Sequence, residues 1–409
     1  MKILVVTPDI PPHPLTNGRW LMIHNLFNLI SQRHEVFLLC LLHSKDALQH
    51  LGPIKEHFSS IVDVAYGNKS QTKVQKLRNI LFFRWKWLAG ERFPERTLRF
   101  QGVLREIIKK YEIDLIHAFD IGIGWYLHDF VELPRILDLT DSSSFHLKRQ
   151  YALEKSQLSL FAKVIQKAKM KLLERVEGWM VTRFEVSIVV SKDDARHLQQ
   201  RSPGASIESI PLGVDCDYFS PRICKESPNP LIIFSGAIYF PPNLDAVNYF
   251  YYEIFPFIRQ KVPGAHFMVV GKNPPQEIRE LGKDSDVTVT GYVEDIRPYI
   301  AQGTVVICPM RTGAGIKIKL LEALALEKAV VSTSIGASGL DLKDHEHLLI
   351  ADDKVAFADR VVALLNDPSM RQKLARQGRR WIKERYSWEA AAEHYEILYT
   401  DLLMKRKER

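Results

Sequence analysis

Apolar residues in this chain fall into short unbroken runs separated by stretches of helical period. KILVVTPDI, HEVFLLCLL, IVDVAY, DLIHAFD, RILDLTDSSS and EVSIVV are too short for helices and end in turn or charged residues. Such runs predict strands of a parallel sheet, buried on both faces. LMIHNLFNLISQR, IGIGWYLHDF and a lysine-rich run from about 145 to 184 carry helical spacing between them. A second rhythm starts at Pro230. LIIFSGAI, HFMVVGK and VTVTG predict strands, PNLDAVNYFYYEIFPFIRQK a helix, and KAVVSTSIGASG a strand closed by a glycine-bearing loop. The alternation predicts two α/β units of parallel sheet, with ligands at the carboxyl ends of the strands. PRICKESPNP reads as the linker. The final helix from Trp388 has an apolar stripe (Ala391, Ala392, Tyr395, Leu398, Tyr399, Leu402) with no evident partner in the C-terminal half.

Length and composition fit that picture. The 409 residues, 46% hydrophobic and 25% charged, suit a soluble globular protein of two domains. No apolar run is long enough to span a bilayer, and a strand so near Met1 leaves no room for a signal peptide. Cys40, Cys216, Cys224 and Cys308 are scattered without a CxxC, which disfavours zinc and disulfide frameworks and makes a reducing cytoplasm the expected compartment. The net charge of +8 concentrates partly in residues 73–99, where Lys73, Lys76, Arg78, Arg84, Lys86, Arg92, Arg96 and Arg99 interleave with Leu81, Phe82, Phe83, Trp85, Trp87 and Phe93. An anionic membrane surface is the favoured partner, on the inner face of the plasma membrane. Single-stranded nucleic acid, or a solvated hairpin with its aromatics in the core, is the alternative.

The chemistry concentrates in PMRTGAGIKIKLLEALALEKAVVST, residues 309–333. A strand empties into a loop where Gly313, Ala314 and Gly315 precede a helix, so unpaired backbone N–H groups gather at the positive end of a helix dipole. That is an anion site suited to a diphosphate. Arg311, Lys317 and Lys319 add charge, and Glu322 can accept two sugar hydroxyl protons. Asn17-Gly18-Arg19 stands just before a helix at the carboxyl edge of the first strand, as Asp138, Thr140 and Asp141 stand at the end of another. Asp141, Lys317 and Glu322 are the candidate catalytic groups. The bland alternatives are a plain turn at Gly18 and a solvent-side carboxylate at Glu322.

Several segments together resemble the retaining family-4 glycosyltransferases of GT-B fold. KLLEALALEKAVVST is similar to that family's LEAMA-x-G-x-PVV segment, and SIPLGVDCDYFSP to its interdomain signature. GYVEDI resembles the loop beside the nucleotide base, and RYSWE the start of a crossing C-terminal helix. The resemblance implies two Rossmann-like domains facing across a cleft: 1–218 with helix 388–409 on the acceptor side, and 229–387 binding the donor. It places Glu322 on the ribose, Gly313, Ala314 and Gly315 under the diphosphate or sugar, Gly18 on the phosphates, and Gly291 and Val293 by the base. It implies a nucleoside diphosphate sugar as donor, a saccharide or lipid-linked saccharide as acceptor, no metal, no nucleic acid, and retention with the leaving phosphate taking the acceptor's proton. Three departures stand out. Ala314 replaces the first family glutamate, SGAIYFPPN replaces the usual Arg and Lys clamp, and Thr140 stands where a histidine is usual. Arg311, Lys317 and Lys319 are the available substitutes for that clamp. The rival readings are an epimerase or hydrolase on the same fold, and a non-catalytic membrane-surface module that keeps the pocket. A dinucleotide oxidoreductase is disfavoured because no G-x-G-x-x-G follows the first strand.

Overall fold

The computed structural model describes residues 1–8, 18–42, 60–65, 94–156, 158–224 and 226–408. Most of the basic aromatic segment, from 73 to 93, and Asn17 lie outside them. The chain divides into two compact units, Met1–Ile210 with Ala391–Arg409, and Pro211–Ala390.

In the first unit the apolar runs become β1 (Lys2–Thr7), β2 (Glu35–Leu42), β3 (Ser60–Ala65), β4 (Leu115–Phe119), β5 (Arg135–Thr140), β6 (Val186–Val189) and β7 (Ile207–Ser209). They form one sheet in the order β3-β2-β1-β4-β5-β6-β7. All pairings are parallel; Val5, for example, lies opposite Leu38 on one side and His117 on the other. Both faces are covered, so Ile3–Val6, Leu115–Phe119 and Ile136–Leu137 are buried without alternation. The lysine-rich helical run is in fact two helices, Ser143–Glu154 and Leu160–Val181.

In the second unit β8 (Leu231–Ser235), β9 (His266–Val270), β10 (Val287–Gly291), β11 (Val305–Cys308), β12 (Val330–Ser332) and β13 (Leu349–Ile350) form a parallel sheet ordered β10-β9-β8-β11-β12-β13. Its first long helix runs from Pro241 to Lys261 and widens to a π turn at Phe250–Ile254. Pro256 lies just beyond; its ring cannot donate to the preceding turn, and the wider turn absorbs the mismatch.

The boundary between units falls earlier than the sequence suggests. SIPLGVDCDYFSP folds largely with the second unit, where Val214 bridges Ser387 and a Cβ on Gly213 would meet the Trp388 backbone at 2.6 Å. The Arg379 guanidinium donates to the carbonyls of Cys216 and Phe219, both at 3.0 Å. The stripe of the last helix, Trp388–Lys407, finds its cover in the first unit from Ala391 onward. The Tyr395 hydroxyl donates to Asp138 Oδ2 at 2.6 Å, and the Tyr399 hydroxyl lies 2.7 Å from His117 Nδ1, all four side chains buried. These bonds explain why strand cores can hold a carboxylate and an imidazole at all.

Candidate functional site

Both sheets reverse direction beside their first strand. In the second unit β8 sends its neighbours out to opposite sides, β9 one way and β11 the other. The loops leaving β8 and β11 therefore diverge and open a crevice at their carboxyl ends. Glycines line that edge. A Cβ on Gly271, after β9, would lie 1.7 Å from the Gly236 carbonyl oxygen, after β8, and the Gly271 N–H donates to the Gly291 carbonyl at 3.2 Å. Gly236 in turn lies over the Lys319 ammonium, which a Cβ there would meet at 2.9 Å. Backbone approaches this close tolerate no side chain.

Lys319 sits in the first turn of the helix Ile318–Ala325. Its Nζ donates to the Asn243 side-chain oxygen at 2.7 Å and lies 3.8 Å from the centre of the Phe234 ring. The Asn243 amide donates to the Ala237 carbonyl at 2.9 Å, which fixes the acceptor. Burial lowers the Lys319 pKa to about 8, against the pull of Cys308 and Glu322. One turn further on, burial raises Glu322 to about 7, opposed by Lys319. Among the described residues the Glu322 carboxylate has no hydrogen-bond partner. A cation held by a neutral amide and a ring, beside a half-buried carboxylate with no hydrogen-bond partner among the described residues, can chemically accept anionic and hydroxyl groups.

The other residues singled out by sequence sort themselves by geometry. Gly313 and Gly315 take positive φ angles of 117° and 64°, so the loop turns as only glycine does cheaply. Lys317 turns back on this loop, its Nζ donating to the carbonyls of Ala314 at 3.1 Å and Gly315 at 3.0 Å. Arg311 is differently employed than its planar fork suggests: Nε and Nη2 both bond the Asp245 carboxylate, at 3.1 and 2.5 Å, and the group stacks 4.3 Å over Tyr249. Gly291 ends β10 at φ 71°, and Val293 follows in the next loop, with the exposed Tyr292 between them. The structure thus joins Lys319, Glu322, the glycine loop and, through Gly271, Gly291. Asn243 and Phe234, absent from the sequence reading, are the partners that hold Lys319.

In the first unit the reversal lies between β1 and β4. Gly18 and Arg19 open the helix Gly18–Ile30 after β1, as expected. Arg19 pairs with Asp120 after β4, Nη2 to Oδ2 at 2.8 Å, while Asp120 Oδ1 caps the next helix through the Gly122 N–H at 2.7 Å. Asp120 holds φ at 80°, a conformation nothing in the sequence announces. Asp141 follows β5, its N–H donating to the Leu139 carbonyl at 2.8 Å. Below it lies a buried polar cluster that the sequence reading missed. Glu177 accepts from the hydroxyls of Ser142 at 2.8 Å and Ser144 at 2.5 Å, and from the Ser144 N–H at 3.2 Å. Ser144 Oγ lies 2.9 Å from His197 Nε2, and Asp194 accepts from the Ser142 N–H at 2.9 Å. Burial pushes the Glu177 carboxyl above its ordinary range and the His197 imidazole below. Among the described residues no three His, Cys, Asp or Glu side chains group to hold a metal ion.

Two parallel sheets of Rossmann-like topology, with a charged crevice at a reversal point, define the GT-B glycosyltransferases as the class. Solved structures agree on the fold. A sucrose-phosphate synthase from Thermosynechococcus elongatus superposes with TM-score 0.71 at 18% identity, covering 99% of both chains. An Anabaena protein, HepE, in complex with UDP and glucose gives 0.65 at 16%, over 98% of this chain and all of that one. The chain belongs to the family-4, group-1 glycosyltransferases: the Glycosyltransferase Family 4 model matches residues 21–218 and the Glycosyl transferases group 1 model residues 229–367. It is a glycosyltransferase by that membership. An "Uncharacterized 44.6 kDa protein in cps region" of Klebsiella pneumoniae is 25% identical over 94% of this chain and 96% of its own length. A GDP-mannose-dependent alpha-(1-6)-phosphatidylinositol monomannoside mannosyltransferase of Mycobacterium tuberculosis is 27% identical over 51% of this chain and only 59% of that protein.

Proposed function

We propose that this glycosyltransferase moves a sugar from a nucleoside diphosphate sugar to a hydroxyl of a saccharide or lipid-linked saccharide, with retention of configuration, in cell-surface glycan synthesis. The observation that carries the donor reading is the juxtaposition of Lys319 with the Glu322 carboxylate, which has no hydrogen-bond partner among the described residues, at the β8/β11 crevice. The diphosphate takes the Lys319 ammonium and the N–H groups leading into the helix Ile318–Ala325, where developing negative charge on the leaving group needs them. Lys317 braces the loop from beneath, and Arg311, paired with Asp245, supports Tyr249 rather than the phosphates. Glu322 accepts two hydroxyl protons of the ribose. Gly291 and Val293 lie by the base, with Tyr292 exposed between them to stack on it. With Lys319 and the loop N–H groups on the phosphates, the reading assigns their counter-charge to the protein and calls for no metal.

The first unit takes the acceptor in this reading, with Asp141 after β5 as the group that meets it, while Gly18 and Arg19 after β1 keep the donor-phosphate role that the family resemblance implies. The solved neighbour that carries UDP and glucose supports a nucleotide-sugar donor, and the mannosyltransferase relative supports a lipid-linked acceptor. A cytoplasmic enzyme held at an anionic membrane, through residues 73–99, fits such an acceptor. Among the described residues no helix is long and apolar enough to cross a membrane.

The test is a thermal-shift screen against nucleoside diphosphate sugars, followed by product analysis with and without a saccharide acceptor. A donor present at ten times its Kd should stabilise the fold by roughly 1.4 kcal/mol. Nucleotide release that ignores the acceptor would favour the hydrolase reading. Binding without turnover, and a Glu322→Ala variant with unaltered cellular role, would favour a non-catalytic module.

A further inference from the structure

The geometry points to a lipid-docking face on the first unit, at the N-terminal end of the helix Leu160–Val181, fitted to an anionic membrane surface. At its C-terminal end this helix is an ordinary core element, with Val176, Gly178, Met180 and Val181 buried. Its first turns are the reverse. Leu160 is 82% exposed, Phe161 76%, Val164 66% and Ile165 50%, side chains that a folded protein ordinarily covers. Positions 160, 164 and 168 lie one turn apart, with 161 and 165 alongside, so these residues and Ala168 form one continuous stripe. Ala162, Gln166, Met170 and Leu173 are half-buried on the other side, so the helix is attached and the stripe faces outward.

Charge chooses the occupant. Lys167, Lys169 and Lys171 stand exposed at the margins of the stripe, and Lys163 is half-exposed behind it. From Ser159 to Leu173 there is no acidic residue, and among the described residues none of these lysines forms an ion pair. Two copies of this chain meeting face to face would bring like charges together around their apolar contact. A headgroup layer of negative lipids over an acyl boundary satisfies both parts of the face: apolar side chains enter the boundary and lysine ammonium groups reach the phosphates. The inference rests on the membrane-side acceptor reading above for its biological sense, but on described side chains instead of residues 73–99 for its evidence.

The experiment is co-sedimentation of the full chain with phosphatidylcholine vesicles, with and without phosphatidylglycerol. It compares wild type, a Phe161→Ser/Ile165→Ser variant, and a variant carrying Lys163→Gln, Lys167→Gln, Lys169→Gln and Lys171→Gln. Wild-type partitioning should need the anionic lipid and weaken with salt, and each variant should bind roughly tenfold less or lower. Donor binding and transfer to a soluble saccharide should be unchanged in both variants, so a failed transferase reading leaves this result standing. Equal vesicle binding by all three proteins, or binding indifferent to phosphatidylglycerol, would overturn the inference. So would a dimer in size-exclusion chromatography that the Phe161→Ser/Ile165→Ser change dissolves with vesicle binding intact, since a second copy would then cover the stripe.

Discussion

The same topological event, a sheet reversing beside its first strand, occurs in both units with opposite electrostatic results. In the first unit the cation at the reversal, Arg19, meets a carboxylate, Asp120, at 2.8 Å, and both side chains are 28% exposed. In the second unit the cation, Lys319, meets an amide oxygen and a phenyl ring, while the nearby carboxylate of Glu322 is left without a hydrogen bond among the described residues. One crevice is neutralised internally and the other is left with its charges in suspense. A half-buried ammonium without a bonded counter-ion costs stability, and that cost is tolerable where a ligand regularly supplies the anion. The difference is the ground on which the donor reading proposed above puts the diphosphate's charge partner at the second reversal point.

Breaking the second crevice should have the largest effect. Lys319→Met should lower kcat/KM by about 10²–10³-fold, the range seen when one transition-state charge partner is removed. The same variant should melt at a higher temperature than wild type. Its sign follows from linkage: the folded-state pKa of about 8 lies below the ordinary 10.5, so between those values the unfolded chain holds the extra proton. Stability therefore rises with pH across that window in the wild type and loses this dependence in the variant. Calorimetry at pH 7 and pH 10 checks it.

A second break aims at the backbone. Gly271→Ala should cost about 2–4 kcal/mol in chemical denaturation, because its Cβ would overlap the Gly236 oxygen and φ is +152°. Donor affinity should fall in parallel, since Gly236 lies against Lys319.

The third sharpens the pairing of charges by pH. On the proposed donor reading Glu322 must be ionised to accept hydroxyl protons and Lys319 protonated to hold phosphate. Donor affinity should therefore rise as pH climbs through about 7 and fall again above about 8. Glu322→Gln should erase the acid limb and weaken binding by roughly 1–3 kcal/mol, measured by titration calorimetry.

The smallest effect belongs to the first unit. A double-mutant cycle on Arg19 and Asp120 should return a coupling of about 0.2–1 kcal/mol that shrinks with salt, as for other partly exposed pairs.

The fold was legible because parallel strands buried on both faces read as unbroken apolar runs, and 309–317 was legible as a loop because Gly313 and Gly315, both at positive φ, break the pattern between strand and helix. What escaped the sequence reading were pairings across long stretches of chain. Asn243 bonds Lys319 from 76 positions away, and Asp245 takes the Arg311 fork from 66. No local pattern announces either, so Arg311 looked as available as Lys319. The Glu177 cluster escaped for a different reason. A glutamate in a lysine-rich helix looks solvated until the serines of another helix close over it. The exposed stripe at 160–165 was hidden too, because apolar residues at helical spacing read as core until the neighbouring packing is known.

The bonds from Tyr395 and Tyr399 to Asp138 and His117 have a consequence for how the molecule is made. A ribosome releases the first sheet long before it releases the helix that carries Tyr395 and Tyr399, so the carboxylate and imidazole in those strands wait without their hydroxyl partners until that helix emerges. A chain cut before residue 391 would keep both sheets but leave the first with two polar groups that have lost their hydroxyl partners, a natural client for chaperones and proteases.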